Sequence, residues 1–274
     1  MNIKLIALDM DGTALKNDGT LSPRTAKALT AAMENGIAFV PTTGRMKNYI
    51  PKAIMELPGW RYAVTSNGAS VWDLKEDRVI AANYLDTDLI EKILDGLEPL
   101  CMYYEVYSGG NSYAEGTRLD HLNDFPLSDW HLRFVIHGDK PVQRVENMRE
   151  FIKTHPVEKI FLPDTEPQKH QKAYEILKEF PILITSSTAN NLELNHPSAH
   201  KGKALEELCN FLGIKREEVM AAGDNNNDYQ MLAFAGLAVA MGNAIEGIKE
   251  ISDYVTLSNE EDGVAAAIEK FVLL

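Results

Sequence analysis

Residues 3 to 8 read Ile-Lys-Leu-Ile-Ala-Leu, an almost unbroken apolar run that stops at Asp9-Met10-Asp11-Gly12-Thr13. This is the pattern of a buried parallel strand that opens into a polar loop. Ser22 and Pro23 then mark a helix start; Ala26, Leu29 and Met33 fall on one face, and Gly36 stands where a C-terminal cap belongs. A second apolar run, residues 37–42, follows at once, and the strand-helix-strand spacing from Ile3 to Thr42 predicts a βαβ crossover within a parallel sheet. The same alternation returns near the C-terminus. A helix over about 202–212 is followed by Gly213, the strand Val-Met-Ala-Ala-Gly, a helix through Met231 and Leu232, the strand Leu-Ala-Val-Ala-Met, a further helix and Tyr-Val-Thr-Leu.

From about Tyr84 to Ala189 the texture changes. Alternating segments (residues 102–107, 131–138, 158–163 and 182–187) are interleaved with helical stretches over 142–153 and 166–180. That mixture predicts an α+β unit with a largely antiparallel sheet. The expected architecture is therefore a doubly wound, Rossmann-like α/β core made from residues 1–83 and 190–274, with residues 84–189 inserted as a separate cap domain. The sequence carries no internal repeat or low-complexity tract.

The chain has 274 residues, 45% of them hydrophobic, enough for a sizeable core. Its formal net charge of -13 is spread over mixed acidic and basic segments without a long basic run, so a nucleic-acid partner gets no electrostatic support. Cys101 and Cys209 lie far apart and outside any metal-ligand spacing, and read as reduced and structural. The apolar stretch before Asp9 is too short for a signal segment, and no apolar run long enough to span a membrane follows; the expected compartment is the cytoplasm.

Four polar segments carry the candidate chemistry, three at predicted strand ends, where open α/β sheets place their ligands. In Asp9-Met10-Asp11-Gly12-Thr13, carboxylates at i and i+2 leave a strand on the same side, and Gly12 permits a tight turn with N–H groups aimed inward. Such a pair can hold a hard cation, attack phosphorus, divide nucleophile and acid/base roles, or simply serve a turn. Thr42-Thr43-Gly44-Arg45 offers hydroxyl and helix-terminus donors to a phosphate, or an ordinary cap; Arg45 fits a phosphate or a salt bridge equally. Lys201, between His200 and an amphipathic helix, would supply the fixed cation that an anionic nucleophile needs beside a phosphate, though a surface position is the simpler alternative. The seven histidines show no ligand spacing and read as structural or solvent-facing. Gly223-Asp224-Asn225-Asn226-Asn227-Asp228 crowds two carboxylates onto one strand end, which calls for a divalent cation or a lysine; it lacks the pattern of an EF-hand.

In this order, DMDGT, TTGR, HKGKAL and GDNNNDYQML resemble the four motifs of the haloacid dehalogenase superfamily of phosphotransferases. The SNGA at Ser66–Ala69, the closing GDNNNDYQMLAFAGLAVAMGNA and the place of the insertion are similar in particular to its Cof-type sugar-phosphate phosphatases. The resemblance covers the core motifs at both ends; in the insertion it is one of size and order only. It implies a Mg2+-dependent phosphatase of small phosphorylated metabolites, with Asp9 as nucleophile and Asp11 as general acid/base. It further implies phosphate binding by Gly12, Thr43, Gly44, Lys201 and Asn227, magnesium held by Asp9, the backbone carbonyl of Asp11 and Asp224, and Asp228 in support. Ala14 stands where the family more often has Leu, and Thr42 where it more often has Ala. The inserted unit is implied to select the leaving group and control water entry.

Asp as nucleophile needs no activating histidine, in keeping with the absence of any Ser-His arrangement. A phosphotransferase or mutase would keep all four motifs, and a receiver-like module would share a phosphorylated Asp, magnesium, Thr and Lys but needs neither the insertion nor the second acid. A non-catalytic sugar-phosphate binder would not need Asp9 and Asp11 together.

Overall fold

The computed structural model describes residues 2–138, 141–186 and 188–273. Its first strand, β1 (Leu5–Leu8), is buried at all four positions because it lies between two parallel neighbours, which explains its continuous apolar run. Helix α1 (Pro23–Glu34) begins where the Ser22 side chain accepts from the Thr25 N–H. It buries Thr25, Ala28, Leu29 and Ala32. The expected face of Ala26, Leu29 and Met33 is thus rotated: the buried positions follow i, i+3, i+4 and i+7, and Ala26 and Met33 are only half-buried. β2 (Ala38–Pro41) follows, then the short α2 (Lys52–Met55) and a three-stranded antiparallel sheet of β3 (Tyr62–Thr65), β4 (Ser70–Asp73) and β5 (Arg78–Ala82).

The middle of the chain holds α3 (Thr87–Leu97), β6 (Glu105–Ser108), β7 (Asn111–Glu115), α4 (Gly116–Leu119), α5 (Asp129–His137), β8 (Gln143–Val145), α6 (Met148–Thr154), β9 (Lys159–Leu162), α7 (Pro167–Leu177), β10 (Leu183–Thr185) and β11 (Leu192–Asn195). Its six strands form one sheet in the order β10-β11-β9-β6-β7-β8, antiparallel except for the β7/β8 pair. One face, with Val106, Ile160, Leu162, Leu192 and Leu194, packs with Ile90, Ile93, Met148, Ile152 and Leu177 of the helices into a core of its own.

Residues 131–138, expected as an alternating segment, lie mostly in α5: Ser128 caps it by accepting from the His131 N–H, and His131 and Val135, four apart, are its buried positions. The helix expected over 142–153 is shorter, because residues 143–145 form β8 and Asn147 caps α6 just after it.

The chain then returns through α8 (Lys201–Leu212), β12 (Val219–Gly223), α9 (Tyr229–Phe234), β13 (Leu237–Ala240), α10 (Glu246–Glu250), β14 (Tyr254–Val255) and α11 (Gly263–Phe271). The parallel sheet has the order β14-β13-β12-β1-β2, a doubly wound, Rossmann-like core. The chain leaves β1 for β2 on one side and comes back as β12 on the other. This makes the carboxyl end of β1 a topological switch point, where α/β sheets open a crevice.

By its contacts the chain divides into one compact unit of Met1–Arg45, Ile50–Ala82 and His200–Leu274 and a second of Met46–Tyr49 and Asn83–Ala199. The second crossing falls after Ala199 rather than after residue 189, because β11 pairs with β9 and β10. Among the described residues no helix is long and apolar enough to cross a membrane. Cys101 is exposed and Cys209 buried; both are free thiols, and burial pushes the Cys209 thiol up to about 12.

Candidate active site

Asp9 is the first residue beyond β1, and its N–H donates to the Ala222 carbonyl of β12 at 3.1 Å, which holds the strand end in register. The turn that follows closes on itself through N–H bonds of Ala14 to the Asp9 carbonyl and of Leu15 to the Met10 carbonyl. Asp9 is nearly buried. Lys201, at the first turn of α8, is fully buried, and its Nζ donates to Asp9 Oδ1 at 2.5 Å and to Asp228 Oδ1 at 2.7 Å. Asp228 is also fully buried, and its Oδ2 accepts the N–H groups of Asp224 and Asn225 at 2.9 and 3.1 Å. A lysine on one helix and a carboxylate after another strand are thereby fixed against Asp9.

Asp224, at the end of β12, accepts a hydrogen bond from the Thr13 hydroxyl at 2.8 Å. Gly12 has φ +80°, and a Cβ there would stand 2.6 Å from Asp224 Oδ2. Only glycine lets the Asp9–Thr13 turn come this close to the second strand end. The Gly12 carbonyl accepts from Asn243 Nδ2 at 2.8 Å. Burial pushes the Asp9 carboxyl well up, the charges of Asp228 and Asp224 add to this, and Lys201 opposes it. Burial likewise pushes Asp224 up to about 6 against its bond from Thr13, with Asp228 reinforcing the rise. Burial works against the charge on Lys201, but Asp228 and Asp9 outweigh it and raise its pKa.

Asp9, Asp224 and Asp228 each offer an oxygen within 4.8 Å of the others. Buried hard carboxylate oxygens crowded together suit a small divalent cation, which would offset their mutual repulsion. Asp228 is already committed on both oxygens, to Lys201 and to two backbone N–H groups. Asp9 and Asp224 are therefore the better side-chain donors of the three.

Asp11 is exposed and turned to Arg45, whose Nε and Nη2 grip its two oxygens at 2.7 and 2.6 Å. Arg45 thus pairs with a carboxylate of the first motif. Thr43 is buried, with its N–H on the Val64 carbonyl and its hydroxyl oxygen accepting the Arg45 N–H. Asn227 Nδ2 lies 3.5 Å from Asn67 Oδ1. His200, read as structural, caps α8: its Nδ1 accepts the Lys203 N–H at 3.1 Å. Sequence reasoning did not single out Thr13, Asn67 or Asn243. Each stands within a quoted segment, Thr13 in DMDGT, Asn67 in SNGA and Asn243 near the end of GDNNNDYQMLAFAGLAVAMGNA, but neither composition nor periodicity marks any of the three.

The fold is α/β, and the carboxylates and Lys201 are gathered at the carboxyl edge of its parallel sheet, where open α/β sheets place their ligands. The profile of the haloacid dehalogenase-like hydrolases matches residues 6–268. The 5-amino-6-(5-phospho-D-ribitylamino)uracil phosphatase YcsE of Bacillus subtilis is 32% identical over 273 residues, covering 100% of this chain and 97% of that protein. Phosphatase YwpJ of the same organism is 33% identical over 287 residues, covering 96% and 98%. A solved haloacid dehalogenase-like hydrolase from B. subtilis superposes with a TM-score of 0.82 at 31% identity, covering 98% of this chain and 100% of the other. The chain belongs to the haloacid dehalogenase-like hydrolase family.

Proposed function

We propose that the protein is a Mg2+-dependent phosphatase that hydrolyses small phosphomonoesters through an aspartyl phosphate on Asp9. The observation that carries this reading is the buried lysine bridging Asp9 and Asp228 beside Asp224. Such a cluster gives a carboxylate nucleophile and a fixed cation for the phosphoryl group in one place. Relatives named as phosphatases along the whole chain support it.

Asp9, Asp224 and the Asp11 backbone carbonyl would hold magnesium, which supplies charge neutralisation for an anionic nucleophile meeting an anionic ester. Lys201 and the Thr43 hydroxyl bind the phosphoryl oxygens, with Asn227 and the backbone at Gly12 and Gly44 completing the cradle. Asp9 attacks phosphorus in line with the ester oxygen, and Asp11 protonates the departing alkoxide. Asp11 then takes a proton from the water that hydrolyses the acyl phosphate, so one group serves both half-reactions in opposite directions. Both Asp11 oxygens lie in the Arg45 fork, so each proton transfer requires the fork to release at least one of them. Asp228 keeps Lys201 oriented. The middle unit, Asn83–Ala199 with Met46–Tyr49, is the part of the chain left to choose the leaving group.

Phosphate release from a panel of sugar, polyol and nucleotide monoesters, with Mg2+ or with EDTA, tests the reading in wild type and in Asp9→Asn. Release that needs Mg2+ and disappears in the variant is expected. Release that persists in Asp9→Asn removes the nucleophile assignment, and no release from any ester removes the phosphatase reading.

A further inference from the structure

The SNGA segment has no role in the chemistry above, yet it is the most strained stretch near the site. Ser66, Asn67 and Gly68 have φ of 51°, 61° and 103°, three successive residues in the left-handed half of backbone space. Two of them carry side chains, and all three are buried. Asparagine tolerates this conformation better than most residues, serine less well, and such strain persists only where the surroundings over-determine it.

The surroundings are three of the four motifs. The Ser66 N–H donates to the Arg45 carbonyl at 2.9 Å and the Asn67 N–H to the Thr43 carbonyl at 3.1 Å, so the turn grips the Thr43–Arg45 backbone from both sides. The side-chain oxygen of Asn67 fills the niche beside Gly44, where a Cβ would stand 2.7 Å from it. The same oxygen faces Asn227 Nδ2 at 3.5 Å, the long limit of a hydrogen bond. A Cβ on Gly68 would meet the His200 carbonyl at 2.5 Å, so the turn also rests on the residue that starts the Lys201 helix.

From this convergence we infer that Asn67 is a positioning residue of the phosphoryl pocket: its amide spans the space between Gly44 and Asn227 and sets the Thr43 turn and the Asn227 side chain at the spacing a phosphate requires. The inference rests on the phosphatase reading and adds to it a residue that need not touch the substrate. The left-handed backbone is what aims the amide into that gap; an extended residue at 67 would not place its side chain between two segments from opposite ends of the chain.

The test separates side chain from backbone. Asn67→Gly keeps the left-handed turn and removes the amide, whereas Asn67→Ala removes the amide and adds strain. Inorganic phosphate binding is measured calorimetrically with Mg2+ present, beside p-nitrophenyl phosphate turnover and thermal melting. In both variants the Kd for phosphate and the KM should rise about tenfold, with kcat changed less, as expected when the Thr43 turn and Asn227 lose the amide that spaces them. Asn67→Gly should melt with wild type and only Asn67→Ala should melt lower. The double variant Asn67→Gly/Asn227→Ala should bind phosphate no more weakly than Asn227→Ala alone, since the two side chains act as a unit. Phosphate affinity in Asn67→Gly within about twofold of wild type, or full additivity in the double variant, overturns the inference. A wild type that neither binds phosphate nor turns over the ester overturns the phosphatase reading and the inference with it. An active wild type with an unchanged Asn67→Gly sinks the inference alone.

Discussion

Asp224 shows how one residue ties the site to the stability of the whole protein. Its carboxyl is pushed up to about 6 by burial, with Asp228 adding to the effect, so in metal-free protein the charged form is disfavoured by folding. The sign follows from linkage: a carboxyl whose folded pKa lies above its unfolded value binds more protons in the native state, so its stability is full at low pH and is lost as pH rises through the folded value. Asp224→Asn should therefore stabilise the EDTA-treated protein at pH 7.5 by roughly 1–3 kcal/mol and give no gain near pH 4. Added Mg2+ should reverse the order by raising the wild type more than the variant. Urea unfolding at the two pH values, with and without Mg2+, reads all of this. A variant less stable than metal-free wild type at pH 7.5 would show that Asp224 is held charged by contacts of the protein itself. Asp9, Lys201, Asp224 and Asp228 were readable in the sequence because each sits in a short polar segment closing an apolar run or opening an amphipathic helix. The Arg45 fork on Asp11, the Thr13 bond to Asp224 and the Asn67 contact with Asn227 were not, because each depends on how closely segments remote in sequence approach.

At the scale of elements, α8 carries Lys201 into the interior, and its first turn is held by His200 Nδ1 accepting the Lys203 N–H. Burial lowers the His200 pKa, with Lys203 adding to the effect, which keeps a neutral acceptor nitrogen available at neutral pH. His200→Ala should cost about 1 kcal/mol in urea unfolding, and His200→Asn should restore most of it, since Asn is a strong N-cap. Equal losses in both variants would mean that the ring acts by packing and not as a cap. The elements of the parallel sheet were legible because strands buried on both faces give continuous apolar runs and their helices carry clear caps: Ser22 before α1, Gly213 after α8. The middle of the chain was less so. An alternating stretch such as residues 131–138 satisfies a strand period and a helical i, i+4 pair at once, and the Ser128 cap decides in favour of the helix.

For the molecule as a whole, a net charge of -13 offers no long-range attraction to a phosphomonoester, so on the proposed function binding would fall to the few positive groups at the carboxyl edge of one sheet. The topology explains why that edge can hold them: β1 is flanked by strands from opposite ends of the chain, and the turn after it meets Lys201 and Asp224 from segments some two hundred residues away. On the proposed function a phosphoryl group is carried transiently by Asp9. The direct measurement is mass spectrometry of Asp11→Asn quenched in acid after mixing with a turned-over ester and Mg2+, followed by tryptic mapping. A phosphoryl group is expected on the peptide Leu5–Lys16 at Asp9, absent with EDTA and absent when Asp9→Asn is added. A phosphoryl group on another residue, or turnover that survives Asp9→Asn, would contradict the proposed function.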